Sequence, residues 1–262
     1  MKTVFSLLLA LLLAVTGSEA LAQISDINNA INKAGRQRML SQRMAKVYFQ
    51  IGLQVVPDRS KKLLDNSVAT FDRQLVELKN YAPTPEIKST YVKLESLWLE
   101  YKDLLLGSAP SQENGRKVLS LSEDILATAH QGTVQLEKHS GTTAGRLINI
   151  SGRQRMLSQR IAKFYQAIAW NVADSQSATA NIEKARKEFS EGLAELVAAP
   201  SNTAEIKDCL DLVKIQWFFF ENALSDKYTN ADKRHLLVVA TTSERILEEL
   251  ENAVTLYEKL PK

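Results

Sequence analysis

The nine residues GRQRMLSQR occur twice in this chain, at Gly35–Arg43 and again at Gly152–Arg160. The wider windows Ile31–Lys46 and Ile148–Lys163 agree at 13 of 16 positions and lie 117 residues apart. Elsewhere the halves share only apolar positions and a few landmarks: Phe71 with Phe189, Trp98 with Trp217, and Ser122-Glu123 with Ser243-Glu244. A core needs only apolar residues of suitable volume, so loose matching is what a duplicated unit ordinarily shows. An unbroken match of mostly polar residues needs another cause. The chain is two copies of one unit, and the box has a duty in each that depends on residue identity.

Residues 1–22 read as an export signal and are set aside before the fold is considered: Lys2, an apolar run Val4–Val15, and Ala20-Leu21-Ala22 as the cleavage site. No cysteine lies there to carry a lipid. The product expected is a periplasmic chain of about 240 residues starting at Gln23. No later stretch is apolar for long enough to span a bilayer, so no stable membrane insertion is expected; Ile215–Phe220 is the most apolar run, ends at Glu221 and reads as core. Removing Lys2 and Glu19 leaves the net charge at +3, too little to argue for nucleic acid or an anionic membrane. Cys209 stands alone, which excludes an intrachain disulfide, a cysteine zinc cluster and haem attachment.

Helical periodicity dominates, and Gly and Pro fall at the joints. Four helices are expected in the first half, near 25–56, 58–81, 85–106 and 111–138, and four in the second, near 143–173, 175–197, 202–225 and 230–259. Short connections favour up-and-down packing. The fold class expected is all-α: two tandem antiparallel four-helix bundles related by an internal repeat, at 23–140 and 141–262. At the join, Gly141 and Gly145 mark either a linker or a helix running on from one bundle into the next. The continuous helix, at about 1 kcal/mol per glycine, is the preferred reading.

On a helical wheel Leu40, Met44, Val47 and Ile51 make the stripe facing the bundle's own core. A second stripe holds Ile31, Ala34, Gly35, Arg38, Ala45, Phe49 and Gly52, answered by Ile148, Ser151, Gly152, Arg155, Ala162, Gln166 and Ala169. Small residues there admit another backbone, and Arg38 or Arg155 sits in the middle. Burying an unpaired guanidinium costs several kcal/mol, and no Asp or Glu lies within either box. The partner must come from another helix or from solution. A small planar oxyanion fits the guanidinium fork, so Arg38 and Arg155 are expected to clamp one, within one chain or across a homodimer. The plainer alternative is a solvated basic face. Arg36, Arg153, Arg43 and Arg160 share a different flank and read as structural or supporting, as do Ser41 and Ser158. Asn32 and Asn149 read as local hydrogen-bonding groups, and Met39 and Met156 as packing.

The pattern I-N-x-A-G-x-x-R-M-x-S-x-R resembles the ligand-box helix of the PilJ/NarX-type sensory domain, the periplasmic helical bundle of NarX-type nitrate sensors and of the PilJ pilus chemotaxis transducer. Asn32, Ala34, Gly35, Arg38, Met39, Ser41 and Arg43 match it, and in the second copy only Ser151 departs, standing for the Ala. The resemblance implies an anion held by Arg38 and Arg155 and by backbone at Gly35 and Gly152. It leaves nitrate itself open, because PilJ-type members share the box. Receptors of this family carry membrane helices and cytoplasmic output modules; this chain shows neither, so any signal is expected to pass to a membrane receptor or another envelope protein.

Catalysis, a metal and an organic cofactor are not expected. Only His130, His139 and His235 are present, in no nucleophile–base or metal spacing, and no Glu-x-x-His occurs. Glu123-Asp124 and Glu248-Glu249 read as solvated helix faces. The alternative to a ligand-binding protein is a structural or interaction module of the envelope, using the outer sides of the apolar third helices, Tyr91–Leu106 and Leu210–Leu224.

Overall fold

The computed structural model describes residues 23–107, 109–224 and 232–260. The expected export signal lies outside them, as do the helix ends expected at Ser225 and Asn230. Among the described residues there are eight helices and no strand: α1 (Ile27–Gly52), α2 (Pro57–Tyr81), α3 (Pro85–Gly107), α4 (Gln112–Ser140), α5 (Thr143–Ala169), α6 (Ser175–Ala198), α7 (Ala204–Leu224) and α8 (Lys233–Glu258).

Local chemistry accounts for the helix ends. Asp26, Ser111, Thr142, Asp174 and Asp232 each accept the N–H of a residue three along, the N-cap arrangement. Pro57 and Pro85 open α2 and α3, where a missing N–H costs nothing. Both box helices finish alike: Gln54 and Asn171, at equivalent places just past the end, take left-handed backbone with φ of 57° and 56°. Asn enters that region more readily than most residues.

The chain is all-α, two tandem antiparallel four-helix bundles. In the first, α1 packs on α2 and α4, and α3 on α4; in the second, α5 packs on α6 and α8, and α7 on α8. Each core is keyed by the same aromatic pair, Phe71 stacked on Trp98 at 4.1 Å and Phe189 on Trp217 at 3.9 Å.

The join differs from the continuous helix expected. α4 ends at Ser140, Gly141 takes φ 62°, and Thr142 at once caps α5 through the Gly145 N–H. A left-handed glycine followed by a capping threonine is a stop and a start. The chain reverses there, so the bundles lie side by side. Gly35 faces Gly152 and, further along, Gly52 faces the ring of Trp170, which means that α1 and α5 run parallel about a pseudo-two-fold axis. Their contact is the most extensive between any two helices.

A second correction concerns Ile215–Phe220. Phe220 is core and Trp217 packs against it, but Ile215, Phe218 and Phe219 are 51%, 63% and 55% exposed. Consecutive residues are about 100° apart on a helix, so an unbroken apolar run cannot turn wholly inward on a surface helix. Among the described residues no helix is long and apolar enough to cross a membrane.

The seam has little room. A Cβ at Gly52 would sit 2.1 Å from Trp170 Cζ2, whereas one at Gly107 meets only the Asp103 carboxylate at 3.6 Å. Gly52→Ala is expected to lower the stability read by urea unfolding by about 1–3 kcal/mol, and Gly107→Ala to change it by less than about 1 kcal/mol.

Candidate functional site

Most residues of the repeated box have a task at or beside the seam between α1 and α5. At its centre, a Cβ on either Gly35 or Gly152 would lie 3.6 Å from the other glycine's Cα. A Cβ there would also come within 3.3 Å of a guanidinium Nη2, so the glycines leave room for the arginines between closely passing backbones. One turn on, Arg38 and Arg155 are both fully buried. Helical side chains lean toward the helix N-terminus, so each guanidinium reaches the neighbouring helix one turn before its glycine. Arg38 Nη2 donates to the Asn149 carbonyl at 3.1 Å, and Arg155 Nη2 to the Asn32 carbonyl at 3.3 Å and to Asn32 Oδ1 at 2.7 Å. Asn32 thus acts across the seam, not locally; Asn149 turns its amide to Glu137 of α4.

The rest of the box holds this centre. Ser41 and Ser158 donate to the carbonyls of Arg38 and Arg155 at 2.8 and 2.9 Å. Gln42 and Gln159 donate to the carbonyls of Ser122 and Ser243, both at 2.9 Å. Leu40 and Leu157 are core residues, while Met39 and Met156 are buried side chains that line two lateral grooves. Arg43 pairs with Glu244 of α8, and Arg160 with Glu123 of α4 at 2.6 Å. Arg36 pairs with Glu251, and Arg153 with Glu188 at 2.7 Å.

Two lysines just beyond the box were not singled out by sequence. Lys46 and Lys163 are wholly buried. Lys46 donates to Gln159 Oε1 at 2.6 Å, to Ser243 Oγ at 3.1 Å and to Glu244; Lys163 donates to Ser122 Oγ at 3.0 Å and to Glu123. The Ser-Glu landmark is therefore the acceptor for the opposite half's Lys and Arg, a role its repetition could have signalled. Glu123 is accordingly not on a solvated face, although Asp124 and Glu248 are exposed. Burial costs the ammonium groups more than one carboxylate returns, so Lys46 and Lys163 are each lowered to about 8. Burial also works against Glu244, but two cations outweigh it and hold the carboxyl at about 2.

The two arginines end differently. Arg155 Nη1 donates to Glu251 at 2.7 Å, a carboxylate shared with Arg36. Arg38 Nη1 instead meets His130 Nδ1 at 3.2 Å. A guanidinium only donates, so this imidazole is neutral with Nδ1 as acceptor. Burial first, then Arg38 and Arg153, lower His130 to about 4. Burial and the like charges of Arg155 and Arg153 lower Arg38 to about 9, still protonated at neutral pH. Burial lowers Arg155 as well, opposed by Glu251. Neither Nε has a partner. The four ligand residues expected from sequence thus come together within one chain; His130, Glu251 and the acceptors on α4 and α8 come from outside the box.

Glu244 adds stability above its ordinary carboxylate range, and that share is lost as the pH falls from about 4.5 to about 2. Glu244→Gln strands a buried ammonium and is expected to cost about 3 kcal/mol at pH 7. Urea unfolding at pH 7 and pH 3 checks both points, the variant losing less than the parent on acidification.

A family model described as the N-terminal region of type IV pili methyl-accepting chemotaxis transducers, PilJ, matches residues 20–125 and again residues 139–243. A search of curated proteins and a search of solved structures returned no match. Each matched segment holds one copy of the box, and together they take in most of the chain. The chain belongs to the PilJ family, as two tandem copies of a chemotaxis-transducer sensory domain joined through their box helices.

Proposed function

We propose that this protein is an exported, periplasmic sensor that binds a small oxyanion of the nitrate or nitrite kind between its paired box helices. The signal then passes to a partner, a membrane receptor or another envelope protein. The observation that carries this reading is the charge balance of the seam. Two guanidiniums, both charged at neutral pH, are fully buried where two backbones pass closely; one carboxylate, already shared with Arg36, pairs with Arg155 alone, and Glu137 bears on Arg38 only from beyond hydrogen-bond reach. An oxyanion accepting from Arg38 and Arg155 supplies the missing negative charge and replaces the two main-chain carbonyls as acceptor. Releasing those carbonyls frees α1 to shift against α5, and that shift is the signal. Export rests on the sequence pattern of residues 1–22. No catalytic step is proposed.

A second reading, an interaction module without a small ligand, draws on one feature: Leu212, Ile215, Phe218 and Phe219 leave an apolar face of α7 uncovered.

Thermal melting against sodium salts of nitrate, nitrite, sulfate, phosphate and chloride at matched ionic strength separates the two. A ligand at a hundredfold excess over its dissociation constant stabilises by about 2.7 kcal/mol, a rise of about 5–10 °C in Tm for a chain of this size. Arg38→Ala and Arg155→Ala should abolish the rise. A flat response across the panel, or one following ionic strength alone, overturns the anion reading and leaves the interaction module.

A further inference from the structure

The two halves of the seam share the box but not its surroundings. At the register that aligns Ser122-Glu123 with Ser243-Glu244, His130 stands where the second half has Glu251, and Ala127 where it has Glu248. At the register that aligns Trp98 with Trp217, Tyr91 stands where it has Leu210. All three differences fall on one side. Arg155 has a carboxylate; Arg38 has an imidazole and a nearby phenol, and no acid within hydrogen-bond reach.

The phenol is placed with care. Tyr91 is fully buried, and its ring lies so close to α4 that a Cβ on Gly132 would come within 2.9 Å of Cζ. Its hydroxyl has no partner, nor has Arg38 Nε. Two orphaned donors, one of them on a cation that no carboxylate hydrogen-bonds, suit a ligand that only accepts.

The grooves flanking the seam differ by one charge and by one imidazole. One, of about 230 Å³, runs between α4, α5 and α6 with His130 in its wall and Arg153, Arg160 and Lys184 set against Glu123 and Glu188, one cation in excess. Its counterpart, of about 500 Å³, runs between α1, α2 and α8 and sets Glu244, Glu248 and Glu251 against Arg36, Arg43 and Arg59, in balance. His130 both lines the smaller groove and touches Arg38, so a single side chain stands between the groove and the buried guanidinium.

We infer that the anion site is one-sided: a single small oxyanion enters through the α4–α5–α6 groove, passes His130 and is held by Arg38, His130 and the Tyr91 hydroxyl, while Glu251 acts as a permanent internal substitute for the anion on the Arg155 side. This inference rests on the proposed function and narrows it: of the two arginines only Arg38 touches the anion, Arg155 positions the seam, and the stoichiometry, the port and two contact residues are added. Arg155 then serves by holding α5 against Asn32 and Glu251, the fixed half against which the liganded half moves. A neutral imidazole accepting from Arg38 gives up that role when the anion arrives and turns donor by rotating its ring or taking a proton. The charged groups that bear on it are Arg38 of α1, Arg153 of α5 and Glu188 of α6.

Calorimetric titration of the purified chain with sodium nitrate and sodium nitrite, alongside thermal melting, tests this. The parent should bind one anion per chain. His130→Glu copies the second half's internal counter-ion; it should melt higher without salt and lose the anion response. Tyr91→Phe removes a hydroxyl that folding does not use and should weaken binding at least fivefold. On the exposed groove walls, Ala127→Glu should weaken binding at least threefold, and Glu248→Ala should leave it within twofold. Two anions per chain, or parental binding by both His130→Glu and Tyr91→Phe, overturns the one-sided site while leaving an anion sensor. If the parent binds neither anion, the proposed function fails and takes this inference with it.

Discussion

Two backbones pass closely at Gly35 and Gly152, and most of what is particular to this molecule follows from that contact. Without side chains there, α1 and α5 approach closely enough to bring Arg38 and Arg155 into one dry seam. Like charges buried away from bulk solvent repel strongly. The fold responds by spreading acceptors around them: main-chain carbonyls of Asn32 and Asn149, the carboxylate of Glu251, and the imidazole of His130. Further along, Lys46 and Lys163 repeat the problem, and each is answered by a serine and a glutamate reaching in from the other bundle. A buried network of this kind is stable only if nearly every member is satisfied. That requirement ties the two bundles into one object.

The same contact explains why the copies agree in one place and drift elsewhere. A pseudo-two-fold seam puts each box residue against its own counterpart's neighbours, so Gly35 is constrained by Gly152 and Arg38 by the turn that precedes Gly152. The helices behind the seam meet no such mirror. On α3 and α4, Tyr91, Ala127 and His130 have parted from Leu210, Glu248 and Glu251 without disturbing the packing of the glycines. Symmetry in the clasp and asymmetry in what surrounds it are different demands, and duplication lets one chain meet both.

Much of the architecture was legible before any coordinates. Glycines and prolines marked the helix ends, because those signals act within a few residues. Gly35, Arg38 and their repeats stood out because a polar match without packing value needs a cause. The errors have a common origin. Glu123 looked like any solvated helical glutamate, since its partners Arg160 and Lys163 lie far along the chain and nothing local marks them. Lys46 and Lys163 passed unnoticed because a lysine at a box edge is ordinary until its surroundings close over it. The apolar run at Ile215–Phe220 was counted by composition rather than by angle, and the helix turned most of it outward. At the join, Gly141 was weighed as a tolerated helical glycine, although Thr142 behind it already offered a cap for a new helix.

What the sequence determined by itself is local or self-referential. Periodicity and caps dictate eight helices, and the exact repeat dictates two like units whose boxes matter by identity. Tertiary structure alone decided that the boxes meet each other in one chain, that they run parallel, and that one arginine receives a carboxylate while the other receives an imidazole. Helix formation depends on dihedral preferences and neighbours within a turn or two. The charge state and burial of Arg38 depend on which distant helices close around it, and that was settled by a single left-handed residue, Gly141, sending α5 back alongside α1.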